Sequence, residues 1–361
     1  MNFNVIEHGR IYHNPNSFFK YCGWPTVCKD DEGTLYAVCS GFRAAHVCPF
    51  GKTVLFKSFD EGKTWSVPMV VNDTYLDDRD AGITCLGGKT MLVSWFSHPT
   101  EVYLTQYKEH IENSWHGSAS VLDMYASIPE KHEKGGSFVR ISHDGGFSWG
   151  ETLKVPVNTP HGPVLKKDGK LLYFGKECYS AGEETPHVIS AWESADGGKT
   201  WSKLGEVPIP MDTVLDNFHE PHAIELSGGR ILGIIRAENL KTSTTFTMYK
   251  TYSNDGGKTW SECTPMGISG SPPHLLRHSS GAIILTYARR EAVFSERAII
   301  PYDEGESWSE ELVLRASSSS DIGYPSSVEL SDGSVLTAYY HQYENDDFPS
   351  LLYTRWSLYV R

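Results

Sequence analysis

A short pattern recurs five times along this chain, and a recurring turn unit constrains a fold more than composition does. The copies are Ser58-x-Asp60-x-Gly62-x-Thr64-Trp65, Ser142-x-Asp144-x-Gly146-x-Ser148-Trp149, Ser194-x-Asp196-x-Gly198-x-Thr200-Trp201, Ser253-x-Asp255-x-Gly257-x-Thr259-Trp260 and a degraded Asp303-x-Gly305-x-Ser307-Trp308. Each reads as a hairpin turn. The Ser and Asp side chains bond turn amides, Gly takes a positive φ, and Trp packs the turn onto its neighbour. One hairpin cannot bury its own apolar face, so the copies must stack into a single architecture.

A second repeat lies between the turns, a Gly between a polar residue and a short apolar run. It occurs at Gly33, Gly88, Gly169, Gly229, Gly281 and Gly333, and apolar segments precede each one, so each marks a hairpin of two buried strands. From this Gly to the Asp of the next turn is 27 residues in the first unit (33 to 60), 27 in the third (169 to 196), 26 in the fourth (229 to 255) and 22 in the fifth (281 to 303). In the second unit it is 56 (88 to 144), so that unit carries an insertion over roughly residues 101–135, with His110, His116 and His132, expected as a lid or a short helix. The sixth unit lacks the turn motif, and the N-terminal segment is expected to supply its missing strand. Six four-stranded units around an axis predict an all-β chain, a six-bladed β-propeller forming one domain over residues 1–361 with little helix.

Composition narrows the function classes. The net charge is 32 − 45 = −13, spread along the chain, which argues against nucleic acid as a partner because binding it needs a basic face. The seven cysteines are an odd number without framework spacing. The start has neither a basic nor an apolar leader region, and no apolar run reaches the roughly 18 residues of a membrane span. These features predict a soluble, cytoplasmic protein with no membrane partner. They leave the oligomeric state open.

Chemistry is expected near the axis, where inner strands begin and end. Nine residues before the shared Gly stand Trp24, Arg79, Pro160 (followed by His161), Glu220, Pro272 and Tyr324. Packing alone would favour β-branched residues there. Asp77-Asp78-Arg79-Asp80 adds carboxylates and a guanidinium at the second unit, read either as substrate contacts or as a loop pinned by its own ion pairs. His161, His219, His222 and His274 recur near the unit openings without metal-ligand spacing, so no metal or cofactor is expected.

The turn pattern resembles the Asp-box of the sialidase superfamily, and two further segments are similar to that family's site motifs. Asn217-Phe-His219-Glu220-Pro through Arg236 resembles the segment carrying a catalytic Glu and, sixteen residues on, an Arg that grips the substrate carboxylate. Gly323-Tyr324-Pro-Ser-Ser resembles the segment of the nucleophilic Tyr. The resemblance implies Tyr324 as nucleophile, Glu220 as its base, Arg236 as a carboxylate ligand and Arg290 or Arg297 as another. A neutral Tyr suits this role because an anomeric carbon bearing a carboxylate repels an Asp or Glu nucleophile. Two departures stand out. Gly23 occupies the place of the family's first Arg, for which Arg43 or Arg79 is the expected substitute. No acidic residue lies between Gly33 and Phe59, where the family's acid/base Asp falls, so His46 is the expected proton donor. Trp24 is expected to stack on a sugar ring, with Asp80 and His161 as further substrate contacts.

The reading is a glycosidase that hydrolyses a terminal anionic sugar, sialic-acid-like or uronic, its partner being a carbohydrate that carries a carboxylate. Two alternatives remain at this point: a lyase acting on uronic acids by His/Tyr acid–base chemistry, and a non-catalytic glycan-binding propeller.

Overall fold

The computed structural model describes residues 2–114, 117–178, 186–241, 244–301 and 303–359. His116 lies outside the described residues. Six four-stranded antiparallel sheets follow one another in chain order as blades around an axis. Blade one is Tyr21–Lys29, Leu35–Arg43, Lys52–Ser58 and Met69–Asn72, from the axis outward. The innermost strands of the next blades are Asp78–Gly87, Val164–Leu165, Phe218–Glu225, His274–Arg277 and Gly323–Glu329. The N-terminal strand Asn2–Tyr12 pairs with Pro349–Tyr359 as the outer strand of blade six, so the two ends of the described chain meet in one sheet. That closure ties the ring where it would otherwise open.

Each Asp-box joins the third and fourth strands of its blade. In the first box the Ser58 hydroxyl accepts from the Gly62 amide and Asp60 accepts from the Thr64 amide and hydroxyl, at 2.6–2.9 Å. The Trp65 indole N–H closes the turn on the Gly62 carbonyl at 3.0 Å. Gly62 has φ +87°, and a Cβ there would meet Leu336 of blade six at 2.5 Å. Gly146, Gly198 and Gly305 sit equally close to Leu55, Leu92 and Leu232, in each case a residue of the preceding blade. The boxes are therefore the joints between blades: a left-handed glycine lets each turn press against its neighbour. Between the blades lie the apolar clusters, such as Leu35, Ala37, Val54 and Phe56 of blade one with Leu336, Ala338 and Leu351 of blade six.

The second-blade insertion forms three short helices, Thr100–Leu104, Lys108–Ser114 and Ser118–Ala126. Tyr103, Ile111, Leu122 and Tyr125 bury themselves against Val47 and Cys48 of the first-blade loop, with Leu76. The Tyr125 hydroxyl accepts from the Asp77 amide at 2.9 Å, and the Tyr103 hydroxyl donates to the Asp77 carboxylate. The insertion is thus clamped to the rim of the hub.

Candidate active site

Four inner strands share one irregularity, and it builds the site. Their register breaks between Gly23 and Thr26, Arg79 and Gly82, His219 and His222, and Gly323 and Ser326. Inside each break one residue takes a left-handed conformation: Trp24 (φ +56°), Asp80 (+51°), Glu220 (+46°) and Tyr324 (+52°). Positive φ in non-glycine residues is uncommon, and such outliers gather at functional sites. The bulge turns these four side chains into one cavity of about 390 Å³ at the hub. Counting back from the hairpin Gly puts Arg79 at this position in blade two. The structure puts Asp80 there, because Gly88 stands one place earlier in its hairpin than Gly33 does: Cys85 pairs with Met91, three residues after Gly88, whereas Lys29 pairs with Leu35, two residues after Gly33.

Tyr324, Glu220 and Arg236 meet in the cavity. The Tyr324 hydroxyl donates to Glu220 Oε1 at 2.5 Å, while Arg236 Nη1 donates to Glu220 Oε2 at 2.5 Å and to the Tyr324 oxygen at 3.2 Å. Arg236 also holds Glu238 at 2.7 Å. Burial raises the Glu220 carboxyl, but Arg236 and the Tyr324 hydroxyl outweigh it and hold the group below its ordinary value. Burial, with Glu220 and Asp80 facing it, pushes the Tyr324 phenol well up. The resting pair is a neutral phenol on a carboxylate.

Arg290 lines the same cavity and is anchored by the Ile322 carbonyl at 2.8 Å and the Tyr340 hydroxyl. Its guanidinium carbon lies 5.4 Å from the centre of the Tyr324 ring. Arg297 lies elsewhere. It lines no part of this cavity, because its guanidinium turns to Glu311 and to the Ser295 hydroxyl.

The two expected substitutes for the missing Arg also separate. Arg43 has no exposed surface. It binds both oxygens of Asp77 and the carbonyls of His46 and Cys48, so it is spent on the scaffold and lines no part of the cavity. Arg79 does line the cavity, its guanidinium 4.3 Å from the Trp24 ring centre and 3.3 Å from Asp77. Trp24 is 1% exposed, carries both arginines on its ring and leaves little face for a sugar.

The acidic run divides three ways. Asp77 is the ion-pair centre just described. Asp78 ties down its loop through Asn72, Thr74 and Ser97 at 2.8–3.0 Å. Asp80 lines the cavity with its Oδ1 buried and without a hydrogen-bond partner. Burial, with Glu220 adding and Arg79 opposing, pushes its carboxyl up to about 7.

His46 lines the cavity and has a partner that sequence reasoning missed. Its Nδ1 lies 3.0 Å from Asp321 Oδ1 and 2.9 Å from the Tyr21 hydroxyl, and that hydroxyl donates to Asp321 at 3.1 Å. An ionised Asp321 makes Nδ1 the protonated nitrogen and leaves Nε2 as the free lone pair. Burial lowers the His46 pKa despite Asp321, and the fields of Arg79 and Arg290 add to the drop. His46 is thus a neutral base near pH 7. The only sequence signal for Asp321 is its place three residues before Tyr324.

His161 is not in this cavity. It packs with His222 and His274 in a second cleft on the axis, their ring centres 4.8–5.6 Å apart. Backbone amides of Leu275 and Ser327 donate to His222 and His274, and Thr26 and His161 share a 3.0 Å hydrogen bond. Of the four histidines singled out at unit openings, only His219 lines the active cavity, and its Nδ1 lies 3.1 Å from Lys176 Nζ. Among the described residues, no group of three His, Cys, Asp or Glu side chains is arranged to hold a metal ion.

The comparisons agree with this architecture. A family described as a BNR repeat-like domain matches residues 215–337. A xyloglucanase from a Paenibacillus species is 25% identical over 196 residues, which are 49% of this chain and 17% of that protein. The chain therefore spans less than a fifth of that relative's length. A crystal structure of a protein of unknown function from Dyadobacter fermentans superposes with a TM-score of 0.76 at 22% identity, over 99% of each chain. The NanB sialidase of Streptococcus pneumoniae gives 0.68 at 14% identity, over 96% of this chain and 70% of that one. The intramolecular trans-sialidase of Ruminococcus gnavus gives 0.68 at 15% identity, over 97% of each. At these identities the structural likeness speaks for the fold. With its Asp-boxes and its ring of six blades, the chain shares the β-propeller fold of these sialidases, and its residues 215–337 match the BNR repeat-like family.

Proposed function

We propose that this protein is a glycoside hydrolase that removes an acidic sugar, a sialic acid relative or a uronic acid, from a glycan, with Tyr324 as nucleophile. The observation that carries the reading is the contact of Tyr324, Glu220 and Arg236 in a cavity that also holds Arg290. Arg236 and Arg290 bind the sugar carboxylate by charge-assisted hydrogen bonds. The Tyr324 oxygen attacks the anomeric carbon as its proton passes to Glu220, which avoids forming a free phenolate in a site that disfavours one. Asp80 keeps its proton up to about pH 7 and gives it to the departing glycosidic oxygen. His46, neutral and oriented by Asp321, takes a proton from the water that attacks the glycosyl–Tyr324 bond, and Glu220 returns its proton to the phenol. Net transfer of one proton from His46 to Asp80 through solvent closes the cycle.

A lyase is the second reading, favoured by the neutral His46 beside two guanidinium groups that can stabilise a uronate carbanion. The product decides between them. Incubation with sialosides and uronate oligosaccharides, with products resolved by mass, yields a gain of one water for hydrolysis and an unsaturated sugar absorbing in the near ultraviolet for elimination. Absence of either product across the panel removes both readings and leaves a binding propeller.

A further inference from the structure

The cavity wall at blades three and four holds a cation that the hydrolytic scheme does not use. Lys176 ends the second strand of blade three, Leu171–Lys176, is 4% exposed and lines the cavity. An ammonium has three N–H donors. Two are accounted for, with Nζ 3.1 Å from His219 Nδ1 and 3.5 Å from the Leu215 carbonyl oxygen. Among the described residues, no carboxylate lies within ion-pair distance of Nζ. The nearby acids are engaged elsewhere: Glu220 and Glu238 on Arg236, and Asp216 on His187 at 3.2 Å.

His219 cannot balance this charge. Its Nδ1 accepts from Lys176, so its Nε2 carries the proton and donates to the Asp216 carbonyl at 2.7 Å. A buried ammonium without a contacting anion is unfavourable, and an arriving anion relieves that cost. Blade order puts blade three opposite blade six, so Lys176 stands across the hub from Tyr324 and two blades from Arg290. Arg236 stands between Lys176 and Arg290 on blade four, so Lys176 continues the cationic wall past Arg236, on the side away from Arg290.

We propose that Lys176 anchors a second anion subsite, and that the substrate carries two acidic groups. One is the carboxylate held at Arg236 and Arg290, and to that extent the inference rests on the hydrolase reading. The other, a sulfate ester or a second carboxylate, belongs to the adjoining sugar and meets Lys176.

Calorimetric binding to the Tyr324→Phe protein tests this without interference from turnover. The probes are a sialyl-galactoside and the same compound bearing a sulfate ester on the galactose. A uronate–hexose disaccharide, its sulfated form and a diuronate form a second set, which separates sulfate from carboxylate. The doubly acidic probes should bind about tenfold more tightly or better, as one charge-assisted contact implies. Adding Lys176→Met should bring each pair within about twofold, while Lys176→Arg retains the preference. Thermal melting checks that the Met variant folds. If it does not, the preference of the Lys176 protein and of Lys176→Gln decides. Equal affinities within every pair, or an equal loss for both members in the variant, overturns the subsite. A preference for doubly acidic probes, with wild-type protein cleaving none of them, sinks the hydrolase reading and leaves the subsite standing. Cleavage of singly and doubly acidic probes alike, indifferent to Lys176, does the reverse.

Discussion

The Tyr324 hydroxyl donates a 2.5 Å hydrogen bond to Glu220 Oε1, joining blade six to blade four across the hub. The two residues are 104 positions apart, and both sit at left-handed bulges. If Glu220 takes the phenol proton during attack, Glu220→Gln should lower kcat by about 10²- to 10⁴-fold, the usual worth of a general base. Steady-state kinetics of Glu220→Gln, Tyr324→Phe and the double variant check this. A pair acting as a unit gives a double variant little worse than either single one.

If Asp80 is the proton donor, it sets the alkaline limb of activity. Burial pushes its carboxyl up to about 7, so the proton needed by the leaving group is lost above that pH. The rate of the parent should fall about tenfold per pH unit there, and Asp80→Asn should be slow and flat across the same range.

The same shift makes a stability prediction with a definite sign. The unfolded carboxyl titrates near its ordinary value of about 3.9 and the folded one near 7, so between these the folded state binds more protons. Its contribution to stability falls as pH rises through that window and is fully lost above about 7. Urea unfolding at pH 4.5 and 7.5 should show Asp80→Asn gaining on the parent at the higher pH.

Arg290 and Arg297 look alike in sequence and differ in surroundings. Arg290→Ala should raise KM about 10- to 100-fold by removing a charge-assisted contact to substrate. Arg297→Ala, which loses its contact with Glu311 outside the cavity, should leave KM within about twofold. Equal effects on KM contradict the assignment.

The Asp-box glycines carry the joints between blades. Gly62→Ala forces a Cβ to within 2.5 Å of Leu336 at φ +87°, and should cost about 1–3 kcal/mol. Gly33→Ala has a similar φ of +90° with nothing within 4 Å, and should cost only about 1 kcal/mol. Denaturant midpoints of the two variants separate packing from backbone strain.

The architecture was legible because an Asp-box is a local device: Ser58, Asp60, Gly62 and Trp65 satisfy one another within eight residues, and repetition then forces a ring. The N-terminal strand in blade six followed from a missing unit. The site was legible only where a motif carries its own spacing, as from Glu220 to Arg236. The partnership of His46 with Asp321 spans 275 residues and depends on ring closure, which no local pattern records. Asp80 takes the bulge position in place of Arg79 because Gly88 stands one place earlier in its hairpin than the matching glycines of blades one and four. Arg43 offers the same guanidinium as Arg79, and only burial against Asp77 shows that it serves the scaffold.

The most direct test of the central claim is covalent trapping at Tyr324. An activated sugar acid with fluorine beside the anomeric carbon slows breakdown of a glycosyl intermediate, because that step passes through an oxocarbenium-like transition state. Intact mass and peptide mapping should then show one sugar on the peptide containing Tyr324, absent in Tyr324→Phe. Product release without any adduct, or an adduct on another residue, would contradict the account.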